Sequence, residues 1–208
     1  MKKYNHTTMG TAGGAHLDLT DPQATSIYPS DIAHALARIF RFTGHTDITV
    51  AEHSVQVMWA LYAQPGFLPM LLEAGITARE ALLIALLHDA HEAYTGDISR
   101  PMNNAIVEIA KDNPVSTIKR RVQRVIHDRF NLPNTEEASF RRVMNAVALG
   151  DRKLLEADRW RGRIDPPWTT EQAERRFNNY LDKLLSNEKC SFVGQFTEWP
   201  DNEMGDAS

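Results

Sequence analysis

Apolar residues recur along this chain at helical spacing and nowhere alternate for long enough to make a strand. Ser30 reads as the cap of a first helix, striped by Ile32, Ala35, Leu36, Ile39 and Phe40. Thr49 to Glu52 has the form of a capping box, in which hydroxyl and carboxylate satisfy each other's free amides. The helix it opens runs to about Ala63, where Pro65-Gly66 breaks the chain. Thr77 to Glu80 is a second such box, and the apolar run Ala81 to Leu87 follows it in a helix expected to continue to Gly96. Asn113-Pro114 starts another helix, striped by Val115, Ile118, Val122, Val125, Ile126 and Phe130. Asn134 to Glu137 opens a helix carrying Val143, Met144, Val147, Ala148, Leu154 and Leu155, and Thr169-Thr170 one carrying Ala173, Phe177, Leu181 and Leu184. The expected fold is all-α: an irregular arm over residues 1–29, a helical bundle over 30–186, and a polar tail over 187–208.

Composition narrows the classes. A chain of 208 residues is enough for one domain with a full core. Its net charge of −4 gives no field that attracts polyanions, so nucleic acid is not an expected partner. The single Cys190 excludes an intrachain disulfide and a cysteine-built zinc site, and fits a reducing cytoplasm. No apolar run is long enough for a transmembrane helix, and the start, Met1 to His6, has no signal-peptide character, so no membrane partner is expected.

Against that background, His88-Asp89 stands out, because it ends an apolar run with two ionisable groups. Buried charge must be paired or bound to metal. His53 lies on the stripe of Val50, Val57 and Leu61, and Asp151 on that of Val147, Ala148, Leu154 and Leu155. Taken singly, each has an ordinary explanation as a satisfied core histidine or a paired carboxylate. Together, His53, His88, Asp89 and Asp151 make a two-nitrogen, two-oxygen set suited to zinc, cobalt or manganese, with magnesium also allowed. Glu92, one α-helical turn beyond His88, suits a general acid/base or an acceptor that orients His88. Asp97 after Gly96 is either a turn carboxylate or part of the site. His91 reads as structural or solvent-facing. Arg38 and Arg41 have the guanidinium geometry for phosphate, whereas Lys119, Arg120, Arg121 and Arg124 read as a solvated face.

The order His53, His88-Asp89, Asp151 on helices resembles the HD-domain metal-dependent phosphohydrolases. Arg38 to Phe42 followed by Val50-Ala51-Glu52-His53-Ser54, and His88 to Ile98, are similar to the five-prime-nucleotidase-like branch, and the likeness runs from Asp31 to Arg159. The resemblance implies His53, His88, Asp89 and Asp151 as metal ligands, Glu92 as catalytic acid/base and Asp97 as a second acid near the leaving group or sugar. It implies Arg38, fifteen residues before His53, as the phosphate grip. Ile39 stands where the branch's monophosphatases carry a tryptophan, and Asn103 where a lysine is usual, so packing on base or sugar differs and Arg41 or Arg100 replaces that cation. The stretches Ile32 to Leu36 and Gly44 to Thr46 look more like phage and prophage members, which strip the phosphates from dATP, so a host cytoplasm would be the setting of a phage-encoded chain. The function implied is hydrolysis of dATP to deoxyadenosine and triphosphate, with dADP and dAMP as further substrates. Alternatives are a deoxynucleoside 5′-monophosphatase of broad base preference and a non-catalytic nucleotide sensor. Related enzymes are homo-oligomers, so the same is expected here.

Overall fold

Two helices form the centre of the molecule, and both are buried on nearly every side. They are α3, Val50–Tyr62, and α5, Ala78–Leu86. The computed structural model describes residues 6–159 and 166–186; the expected polar tail, Cys190 and the side chain of Leu155 lie outside what it describes. Around this pair pack α9, Ala138–Arg159, and α10, Thr170–Leu185; α1, Pro29–Leu36, lies against α10 and α3. The outer elements are α4, Phe67–Ala74, packed on α9 and α5, and α8, Pro114–Arg129, packed near the short α6, Glu92–Thr95. The architecture is all-α, with one two-stranded hairpin among the described residues. Among the described residues no helix is long and apolar enough to cross a membrane.

The core follows the predicted stripes. Ile32, Leu36, Val57, Leu61, all of Ala81 to Leu87, Val122, Ile126, Val143, Val147, Phe177, Leu181 and Leu184 are buried. Phe177 of α10 has no exposed surface, so Phe177→Ala should destabilise the fold by about 3–5 kcal/mol through lost burial and the cavity left behind. Thermal or urea unfolding of the variant checks this.

The structure corrects several boundaries. Helix α1 begins at Pro29, whose missing N–H costs nothing in a first turn, so Ser30 lies inside the helix and is not its cap. That helix ends at Leu36, which takes Ile39 and Phe40 out of the expected stripe; Phe40 is 41% exposed. Thr49 does accept from the Glu52 amide at 3.1 Å, but the Glu52 carboxylate turns inward to accept from Gln56 and from the Trp168 amide, leaving half a capping box. The box at Thr77 and Glu80 is complete. Two helices were not anticipated. Helix α4 buries only Phe67 and Leu71, whereas α7, Arg100–Ala110, repeats Met102, Ala105, Ile106 and Ile109 at helical spacing but buries no residue.

The arm is not irregular throughout. Thr8–Gly10 (β1) and His16–Asp18 (β2) pair antiparallel, with Leu17 fully buried. Asp31 of α1 accepts from the Gly13 amide at 2.6 Å, and a side chain at Gly13 would strike that oxygen. Two cations of α8 hold the rest of the arm. Arg121 donates to the Thr20 carbonyl at 3.2 Å and Arg129 to that of Ile27 at 3.1 Å, so Arg121 is not simply part of a solvated face.

Candidate metal centre

The expected single helix from Thr77 to Gly96 is broken in the middle. Regular helix ends at Leu86, and residues 87–91 form a tight turn before α6. Here amides reach back three residues instead of four: His88 to Ala85 (3.4 Å), Ala90 to Leu87 (3.1 Å) and Glu92 to Asp89 (2.9 Å). Three-residue winding stacks side chains at i and i+3. Glu92 therefore groups with Asp89 and His91, not with His88 as four-residue winding would have it. The break also leaves the Ala85 carbonyl without its usual helical amide, and the His88 ring takes it at 2.9 Å. A carbonyl only accepts, so Nδ1 carries the proton and Nε2 faces Asp89, 3.0 Å from its Oδ2.

Helix α3 contributes His53 and α9 contributes Asp151. Ligand atoms of His53, His88 and Asp89 lie within 4.8 Å of one another, and the two imidazole centroids are 5.4 Å apart. Asp151 joins through His53, with its Oδ1 3.2 Å from Nε2. Gly150 makes this approach feasible, since a Cβ there would stand 3.3 Å from that of Ala60 on α3. Two imidazoles and two carboxylates, one ring fixed through its far nitrogen by a peptide oxygen, are a donor set that suits a divalent transition metal. Burial disfavours charge on both His88 and Asp89, yet their mutual attraction outweighs it: His88 is raised and the Asp89 carboxyl held well below the usual range. A cation taken up here must displace the His88 proton, which ties binding to pH.

Arg41 reaches the same place, its Nη2 3.6 Å from Asp151 Oδ1. A short antiparallel bridge sets it there: the Val50 amide donates to Ile39 and the Arg41 amide to Ile48. The chain then makes the single turn α2, Arg41–Gly44, left-handed at Phe42, Thr43 and Gly44, with φ of 54°, 58° and 82°. Two non-glycine residues in that region cost roughly 1–2 kcal/mol each. Arg41 lies over the Phe42 ring at 5.2 Å. Arg38 is placed differently. Its guanidinium bonds Glu174 of α10 at 2.6 Å and the His34 carbonyl at 2.8 Å, and no contact joins it to the ligand cluster. Ile39 is half-buried against the core.

Glu92 is buried, and Lys119 of α8 stands 3.4 Å from its Oε1. Burial, reinforced by Asp89 and Asp97, pushes its carboxyl up to about 8. Asp97 thus acts on Glu92, and Lys119 is a half-buried partner and not part of a solvated face. His91 is pushed down to about 4 by burial, and its Nδ1 lies 3.2 Å from Gln123 Oε1. Asp89, His91 and Glu92 form a second group of metal-capable atoms, but the Lys119 ammonium already supplies positive charge beside them. Sequence reasoning missed Lys119, Gln123 and the inward-turned Glu52. The one available signal was that Lys119 and Gln123, four residues apart, border the apolar stripe of α8.

A second buried imidazole has consequences for stability. His127 of α8 donates from Nδ1 to the Pro133 carbonyl at 2.8 Å and packs on Phe140; burial holds it below its ordinary 6.5. Unfolded His127 therefore takes up a proton that the folded ring resists, so stability is full above 6.5 and falls as pH drops below it. The melting temperature should decline on acidification. His127→Gln, whose amide can still donate to Pro133, should flatten that decline.

Comparison with known proteins gives kinship without an activity. No family model matches the chain. It is 34% identical over 167 residues to an uncharacterized protein of Rhodobacter capsulatus, across 74% of this chain and 78% of that one. The chain belongs to that protein's family. It is also 27% identical over 125 residues to the uncharacterized protein YfdR of Escherichia coli, spanning 59% of this chain and 58% of YfdR.

Proposed function

We propose that the chain is a divalent-metal-dependent phosphohydrolase of deoxynucleotides, acting on dATP to give deoxyadenosine and inorganic triphosphate. One observation carries the reading: His53, His88 and Asp89 converge from α3 and the turn after α5, with Asp151 against His53. The two imidazoles favour zinc, cobalt or manganese over magnesium. When bound, such a metal polarises a phosphoryl oxygen and activates water.

The remaining chemistry belongs to the side chains. Arg41 stands beside the ligands with the fork geometry that grips phosphoryl oxygens, and offsets the charge that grows on them. Arg38 has that role by resemblance, yet its guanidinium is taken by Glu174. Burial pushes the Glu92 carboxyl up to about 8, which favours its protonated form, and in this reading it gives that proton to the 5′-oxygen as the Pα–O5′ bond breaks. The water oxygen forms the new bond to phosphorus and its proton passes to solvent. Lys119 steadies the carboxylate that Glu92 becomes. The choice of dATP rests on the likeness of Ile32 to Leu36 and Gly44 to Thr46 to phage members of the resembling family.

The test is a product assay with purified protein and Co²⁺, Zn²⁺ or Mn²⁺, offering the four dNTPs, their monophosphates and ATP. Deoxyadenosine with triphosphate from dATP is the expected result. Orthophosphate from several monophosphates, with dNTPs intact, would make it a 5′-monophosphatase. No turnover with any metal would overturn the phosphohydrolase reading and favour the nucleotide sensor.

A further inference from the structure

We propose that Gln123 of α8 is a positioning residue for the metal centre, holding the turn that presents His88 and Asp89. This rests on reading His53, His88 and Asp89 as metal ligands. Gln123 is buried, and every polar atom of its amide is directed at this turn. Its Nε2 donates to the Leu87 carbonyl at 2.9 Å, while its Oε1 accepts from the His91 amide at 3.3 Å and from His91 Nδ1 at 3.2 Å. Leu87 and His91 bracket His88-Asp89, so a single amide grips both ends of the segment.

The grip is directional. A carbonyl only accepts and a peptide N–H only donates, so turning the amide over would break both backbone contacts at once. The turn also needs support from outside. It has left the regular ladder of α5, and three-residue winding gives poorer hydrogen bonds than α-helix, here as long as 3.4 Å at His88. The ligand side chains do little to hold its shape: the His88 ring bonds the Ala85 carbonyl before the turn, and the Asp89 carboxylate pairs with that same ring. Gln123 links the turn to α8, a 16-residue helix capped by Asn113. Groups that orient metal ligands without touching the metal typically change affinity about 10–100-fold when removed.

The experiment measures Co²⁺ affinity by visible absorption in the wild-type chain, in Gln123→Met and in Ile126→Val. Methionine keeps the length of glutamine and loses its hydrogen bonds. Ile126→Val trims a fully buried side chain of the same helix while leaving Gln123 and its hydrogen bonds to the turn in place, and so reports what mere destabilisation does. The proposal expects Gln123→Met to bind Co²⁺ about 10–100-fold more weakly, with Ile126→Val near wild type. It also expects faster hydrogen exchange at the His91 amide in Gln123→Met without metal. Normal binding by Gln123→Met, or an equal loss in Ile126→Val, overturns this inference alone. No Co²⁺ uptake by the wild-type chain overturns it together with the metal reading beneath it.

Discussion

Asp89→Ala should abolish metal retention and lower kcat/KM at least about a hundredfold, the scale on which a single preorganised charge contact acts in a transition state. The fold should survive. The Asp89 side chain is 30% exposed at a turn, and its strongest contact is with His88. Burial disfavours the charged His88 ring, and Asp89 is the main influence against that burial. With Asp89 gone the imidazole reverts to its neutral form, so no buried charge is stranded. A helical circular-dichroism spectrum like that of the wild type, together with lost metal and lost turnover, is therefore the expected combination. Activity within tenfold of wild type would count decisively against the proposed function.

Glu92→Gln should separate chemistry from metal binding. A positioned acid contributes about 10²–10⁴-fold to rate, so kcat should fall by that order while metal content stays near that of the wild type. The pH profile gives the sign. Glu92 is useful as an acid only while protonated, and burial with Asp89 and Asp97 pushes it up to about 8. Activity should thus decline as pH rises toward 8. With metal in place the decline should begin lower, because a cation on Asp89 cancels one of the charges that raise Glu92. Glu92→Gln should lose that basic limb. If the variant keeps its kcat, or loses metal along with activity, Glu92 is a structural or ligating group instead.

The sequence and the structure agree most closely where burial alone decides. Residues such as Leu83, Ile126 and Phe177 show their inward direction through simple periodicity, and the all-α class follows from them. His53, His88, Asp89 and Asp151 were legible for a related reason: ionisable groups placed on apolar stripes need a partner. What stayed hidden depends on departures from ideal geometry. Nothing in Leu87 to His91 announces three-residue winding, so Glu92 looked like a neighbour of His88 although it stacks near Asp89. Contacts between elements far apart in the chain were equally silent. Examples are the pairing of Arg38 with Glu174, 136 positions away, and the seat of Lys119 beside Glu92. Helix α7 was legible and overlooked, since Met102, Ala105, Ile106 and Ile109 recur at helical spacing, whereas the four-residue α6 is too short to show a period.

The central claim is that His53, His88, Asp89 and Asp151 form a divalent-metal centre. Its most direct measurement is the metal-to-protein ratio by elemental analysis, after loading with Zn²⁺ or Mn²⁺ and exhaustive dialysis, in the wild-type chain and in Asp89→Ala. The account predicts a ratio near one for the wild type and near zero for the variant. A wild-type ratio near zero, or a ratio unchanged by losing Asp89, would contradict it.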